Sequence, residues 1–221
     1  MARHAPLTFN QRRVLGALIE KSATTPEQYP LTVNALVAAC NQKSNRDPVV
    51  SLTENDVIDA IQELKHMGFI RRAETDRTAR AVRFEHLAPS ALGWSPREQA
   101  ILAELLLRGP QTAGELRTRG DRMHKMPDLA FANDILSELV ENDPPLVRTL
   151  PRAPGQSAVR HDHTLYADGE TIEPTQPASD PIQAQTAPAT PAPADRLDEL
   201  ARRIADLERR VTELENRCPS S

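Results

Sequence analysis

Aromatic side chains make up only 3% of the 221 residues, with one Trp and two Tyr. A pocket walled by rings, or a row of rings on which bases stack, is hard to assemble from so few. Cysteine is equally sparse. Cys40 and Cys218 stand far apart, which excludes a disulfide framework and a cysteine-based zinc cluster within one chain. No stretch approaches the roughly 20 apolar residues of a membrane span. The polar, basic start from Met1 to Arg13 has no apolar run of signal-peptide length, so a cytoplasmic protein without membrane contact is expected. Also missing are a Gly-rich phosphate loop, a nucleophile elbow and an HExxH helix. His161 and His163 alternate along one β-prone run without a third ligand nearby, which predicts an exposed strand pair and no metal site. His66 is read as a surface residue favourable to the dipole of a helix C-terminus. These absences predict no enzyme and no cofactor.

What remains is aliphatic and polar. Hydrophobic residues reach 39%, enough for two small aliphatic cores. The net charge of −4 is unevenly spread, at +2 over residues 1 to 94, −2 over 95 to 168 and −4 over 169 to 221. The first segment is therefore the likelier anion binder on charge alone. Residues 171 to 194 hold 6 of the 19 prolines among Ala, Thr and Gln, a composition that reads as an extended, disordered linker.

Before the linker the chain repeats itself. Thr8-Phe9-Asn10-Gln11 and Ser95-Pro96-Arg97-Glu98 are both capping boxes, 87 residues apart, in which a hydroxyl and a side chain three residues on satisfy the first helical N–H groups. At the same shift Val14, Leu15, Leu18 and Ile19 fall on Ile101, Leu102, Leu105 and Leu106, one helical apolar stripe written twice. Second helices begin at Thr32 and Thr112. Third helices are predicted over Thr53 to Met67, with Val57, Ile58, Ile61 and Leu64 inward, and over about Asp128 to Glu141, with Ile135, Leu136 and Leu139 inward. Gly68 is expected to end the former as a C-cap. Two β-prone runs follow each: Phe69 to Ala73 with Ala81 to His86, and Leu146 to Leu150 with Ala158 to Tyr166. Three helices and a hairpin, twice over, predict an α+β, mainly α fold of two tandem winged-helix domains. The expected boundaries are 7–90, 91–168, a linker at 169–194 and a coiled-coil helix at 195–218.

The stretch Pro30 to Val49, PLTVNALVAACNQKSNRDPV, with Glu20-Lys21-Ser22 and Thr25 to Tyr29 before it, resembles the YceH-like family of bacterial proteins of uncharacterised function. Thr112 to Met123, TAGELRTRGDRM, and a coiled-coil tail fit the same family. The resemblance covers about residues 7 to 166 and implies tandem winged helices, but brings no activity, cofactor or catalytic residue with it.

A winged helix of the DNA-reading kind lays its third helix in the major groove and touches phosphates with the hairpin wing. The wing arginines Arg71, Arg72, Arg80 and Arg83, with Lys43 and Arg46 before helix three, form a candidate contact set for double-stranded DNA. The third helices argue the other way. Asp59 and Glu63, and Asp134, Glu138 and Glu141 in the second copy, would face the phosphates. A protein partner docked on those acidic faces, without nucleic acid, is the alternative. The Arg117 to Lys125 loop reads as a solvated connection or an anion patch, and Asn41 to Pro48 as a locally bonded turn.

In the tail, Leu197, Leu200, Ile204, Leu207, Val211 and Leu214 recur at alternating spacings of three and four. β-Branched a with Leu d favours a parallel dimer, and Arg203 can meet Glu208, and Arg210 Glu215, across the pair. Cys218 takes the next a position, where two thiols could crosslink under oxidation. The alternatives are a helix docked on its own core or one frayed in solution.

Overall fold

The computed structural model describes residues 5–74, 81–152, 158–167 and 170. The linker sequence beyond Glu170 and the whole predicted coiled coil lie outside the described residues.

Hydroxyl and carboxylate caps set the helix starts. Thr8 precedes α1 (Phe9–Thr24) and its N–H donates to Gln11 Oε1 at 2.7 Å. Thr32 precedes α2 (Val33–Cys40), and Thr53 precedes α3 (Glu54–His66), where Asp56 returns a bond to the Thr53 N–H at 2.7 Å. Glu98 does the same for Ser95 ahead of α4 (Pro96–Arg108), and Glu115 for Thr112 ahead of α5 (Ala113–Gly120). Asp128 caps α6 (Leu129–Glu141) through the Phe131 N–H at 2.8 Å. Each cap answers N–H groups that no helical carbonyl can reach. At the other end of α3, Gly68 takes a φ of +78°, the left-handed conformation that a C-cap glycine supplies at little cost.

Each repeat also contains strands. β1 (Leu31–Thr32), β2 (Ile70–Arg72) and β3 (Arg83–His86) form an antiparallel sheet in the order β1-β3-β2. β4 (Gln111–Thr112), β5 (Val147–Leu150) and β6 (Arg160–His163) repeat the order as β4-β6-β5. The two-residue strands β1 and β4 add a third strand to each predicted hairpin. Register matches throughout: Thr32 lies opposite Arg83 and Thr112 opposite Arg160, while Ile70 lies opposite His86 and Val147 opposite His163.

The apolar stripes of α1 and α4 are buried as expected, yet both helices are covered beyond one stripe. Residues from Gln11 to Glu20 and from Gln99 to Leu107 are all buried. α1 and α4 pack on each other, with Gly16 close enough that a Cβ there would stand 3.0 Å from Leu107 Cγ. The ranges 7–90 and 91–168 thus mark two repeats whose described residues share one compact unit, Met1–Ile172, and one continuous core. No helix among the described residues is long and apolar enough to cross a membrane.

Candidate functional site

The outward surfaces of α3 and α6 are the first candidate. Each third helix turns its apolar side to the core, through Val57, Ala60, Ile61 and Leu64 in α3 and Ala132, Ile135, Leu136 and Leu139 in α6. Ile58, expected inward, is only half-buried. The remaining face is acidic. Glu54, Asp59 and Glu63 are exposed on α3 beside Lys65 and His66, and Asp134, Glu138 and Glu141 are exposed on α6. Glu138 is bound by Arg97 at 2.7 Å, and Glu63 accepts from Gln11.

Five of the six predicted phosphate contacts are among the described residues, and their surroundings differ. Arg71 and Arg72 stand on β2, with Arg71 59% exposed and held to Glu85 across the hairpin at 2.6 Å. Lys43 is exposed in the α2–α3 loop. Arg80 lies outside the described residues. Arg83 donates to the Pro30 carbonyl at 2.7 Å, and its counterpart Arg160 donates to the Pro110 carbonyl at the same distance. A bond made identically in both repeats ties a strand to the turn beside it. Arg46 corrects the sequence reading outright: its side chain is fully buried, where no phosphate reaches it.

Arg46 belongs to an ionic network between the repeats. Its guanidinium holds Glu20 of α1 bidentately and donates to the Ala39 carbonyl at 3.0 Å. Arg122, from the α5–α6 loop, repeats the arrangement. It donates to the Arg119 carbonyl at 3.2 Å, to Glu104 of α4 at 2.7 Å and to Glu20 at 2.6 Å. Arg108 completes the set against Glu104 at 3.3 Å and Asn45 at 2.6 Å, and the Asp47 N–H donates to the Leu107 carbonyl at 3.0 Å. Burial alone would push the Glu20 carboxyl up, but the bonds and charges of Arg46 and Arg122 outweigh it and hold it below its ordinary range. The Arg117 to Lys125 loop is likewise engaged, with Arg117 donating to the Met126 carbonyl at 3.1 Å and Lys125 to Asp121 at 2.7 Å. The Asn41 to Pro48 stretch, expected to be bonded within itself, is tied to its surroundings instead, since Asn41 both donates to and accepts from the Leu52 backbone at 2.8 Å.

Sequence reading missed this network. Its one visible signal is Glu104, a lone carboxylate in the run Ala100 to Leu107, because a charge there must find a partner or unfold the run.

The end of the second repeat holds a second polar cluster. His163 is buried, against the expectation of an exposed strand, because it stacks on Tyr166 with ring centroids 4.1 Å apart while Arg12 lies 4.6 Å over that ring. The Tyr166 hydroxyl donates to buried Asp162 at 2.9 Å, and Arg148 does so at 2.8 Å. Burial, with Arg12 and Arg148 nearby, drives His163 well below the usual histidine range. Cys40 is buried and its thiol is pushed up to about 12, which keeps it a thiol at neutral pH. Among the described residues no three His, Cys, Asp or Glu groups stand together as a metal set would.

Comparison with known proteins adds a family. A family model described as a protein of unknown function, DUF480, matches residues 7–156. A UPF0502 protein of Geobacter sulfurreducens is 53% identical over 158 residues, covering 71% of this chain and 70% of the relative. One from Koribacter versatilis is 52% identical over 153 residues, covering 69% and 71%. One from an Azoarcus species is 46% identical over 161 residues, covering 73% and 70%.

Proposed function

The chain belongs to the DUF480 family of bacterial proteins of unknown function, and we propose that it is a non-enzymatic cytoplasmic binding protein whose two repeats, read as YceH-like tandem winged helices, dock a polypeptide partner on α3 and α6. The order helix, strand, helix, helix, hairpin in each repeat supports the winged-helix reading. One observation carries the docking reading: the exposed faces of the third helices are acidic, while Arg46 and Arg83 spend their guanidinium groups on the protein itself. Carboxylates laid into a phosphate-lined groove lose affinity, whereas a basic polypeptide finds complementary charge there.

A photoreactive residue placed at Asp59 or Asp134 of the full chain tests it in cells. Crosslinks to polypeptide are expected from those two positions and not from Lys125, which is exposed on the α5–α6 loop. Equal crosslinking at all three would remove the case for a docking face.

A second reading, DNA contact through the first hairpin, is favoured by the exposure of Lys43, Arg71 and Arg72. Fluorescence anisotropy with a random duplex separates the two. Binding that falls log-linearly with salt and disappears with Arg71→Ala and Arg72→Ala would replace polypeptide docking with DNA contact.

In either case we propose a homodimer joined by the heptads Leu197, Leu200, Ile204, Leu207, Val211 and Leu214. Deleting residues 195 to 221 is expected to halve the mass measured by light scattering; an unchanged mass would retire the coiled coil.

A further inference from the structure

The repeats part company where the third helix meets its hairpin. Matching Ala132 to Val57 and His163 to His86 sets Asn133 at the place of Ile58, Val140 at Lys65, Thr149 at Arg72 and His161 at Phe84. In the first repeat Phe84 packs against the core. In the second, shorter or polar side chains stand at the Ile58, Arg72 and Phe84 positions. A groove of about 320 Å³ opens there, lined by Asn133, Leu136, Val140, Glu141, Thr149 and His161 among others.

Two features argue for an occupant. Val140 leaves 38% of its surface in water on the groove wall, and His161 Nδ1 is screened from solvent without a hydrogen-bond partner among the described residues. An apolar wall beside an imidazole ring suits a group that brings a flat apolar body. Burial also holds His161 below its ordinary range, so the ring is neutral near pH 7 and keeps one nitrogen to donate and one to accept. Charge selects the occupant further. Glu141 lines the groove and Asp134 follows Asn133 on α6, both exposed.

We propose that the groove between α6 and the β5–β6 hairpin is a docking slot for one phenylalanine-sized side chain of a basic polypeptide segment, which fills from outside the position that Phe84 and Ile58 fill from within the first repeat. The slot deepens the docking function proposed above and rests on it. A buried ring supplies the apolar contact.

Two blocked pentapeptides test it by calorimetry on the full chain at low salt: Lys-Lys-Phe-Lys-Lys, and the same peptide with Ala at its centre. The Phe peptide is expected to bind at least about tenfold more tightly, which is the effect of roughly 1.4 kcal/mol. Filling the slot with Asn133→Ile and His161→Phe is expected to erase that tenfold while leaving the affinity for the Ala peptide unchanged. Should the double variant fail to fold, Val140→Gln on the exposed wall is expected to reduce the preference at least threefold. Equal affinity of the two peptides for the native chain, or a preference that survives a folded filled variant, overturns the slot. If both peptides are then weakened by Asp134→Lys with Glu141→Lys, the acidic docking face stands without the slot. If neither peptide binds, the face and the slot fall together.

Discussion

Glu20 and Glu104 sit fully buried, Glu20 directly after Leu18 and Ile19 and Glu104 inside an aliphatic run, and each is tolerable only because an arginine from a loop reaches in to meet it. Removing one partner of a buried pair leaves an uncompensated charge, at a cost of about 3–5 kcal/mol. Arg46→Met removes one of the two arginines that meet Glu20 and, with Arg122 still in place, is expected to lower the unfolding free energy measured by urea titration by up to that amount. Arg46→Lys should recover little, because an ammonium cannot hold both Glu20 oxygens and the Ala39 carbonyl in one plane. The pH dependence has a definite sign. Glu20 has its folded pKa depressed below the unfolded value, so its contribution is present above the unfolded pKa near 4.5 and is lost as pH falls through the folded one. Acid unfolding below about pH 4.5 should be correspondingly shallower in Arg46→Met.

At the scale of elements, the two hairpins hold one histidine each at the same register, His86 half-buried and His163 buried. His86 Nδ1 accepts the Ala88 N–H at 3.3 Å, and His163 Nδ1 accepts the Leu165 N–H at 3.2 Å. Burial lowers His86 to about 4 and holds His163 well below its ordinary range. The unfolded chain therefore binds more protons than the folded one from pH 6.5 down to about 4, and stability falls with pH across that window. Asp162, raised by burial, opposes the trend at the acid end of the window. Thermal unfolding at pH 7 and pH 5 should show the drop, and His86→Asn should reduce it; an unchanged difference would mean that His86 is not the titrating group. These elements also show what a sequence reveals. Helix starts were legible because caps are local: Thr8, Thr32, Thr53, Ser95, Thr112 and Asp128 bond within three residues of themselves. β1 and β4 were not, since two residues carry no period of alternation and exist only because β3 and β6 lie alongside. Arg46 and Arg83 read as surface cations for the same reason, as their acceptors are carbonyls or a carboxylate distant in sequence.

For the whole molecule, the decisive contact is α1 against α4. Either stripe alone reads as one face of an amphipathic helix, so the sequence divides the chain into two domains and leaves their contact open. The structure instead covers the remaining sides of both helices with each other, brings Leu107 onto Gly16 and threads the ionic network through the seam. Neither half can bury its first helix alone. Residues 1 to 94 and 95 to 170, expressed separately, are expected to show no cooperative thermal transition, whereas residues 1 to 170 should melt in one step. Two transitions in the joined protein, or a cooperative one in either half, would restore the picture of separable domains.

That shared seam has a consequence for synthesis on the ribosome. The final turn of α4 is specified by Arg108 and that of α1 by Thr24, so the nascent first helix waits through the addition of 84 residues, at about 5–20 residues per second, before the sequence that covers it has been made. For several seconds, and longer while α4 clears the exit tunnel, an oily and partly charged helix stands half-clothed, and quality-control factors have their opportunity then.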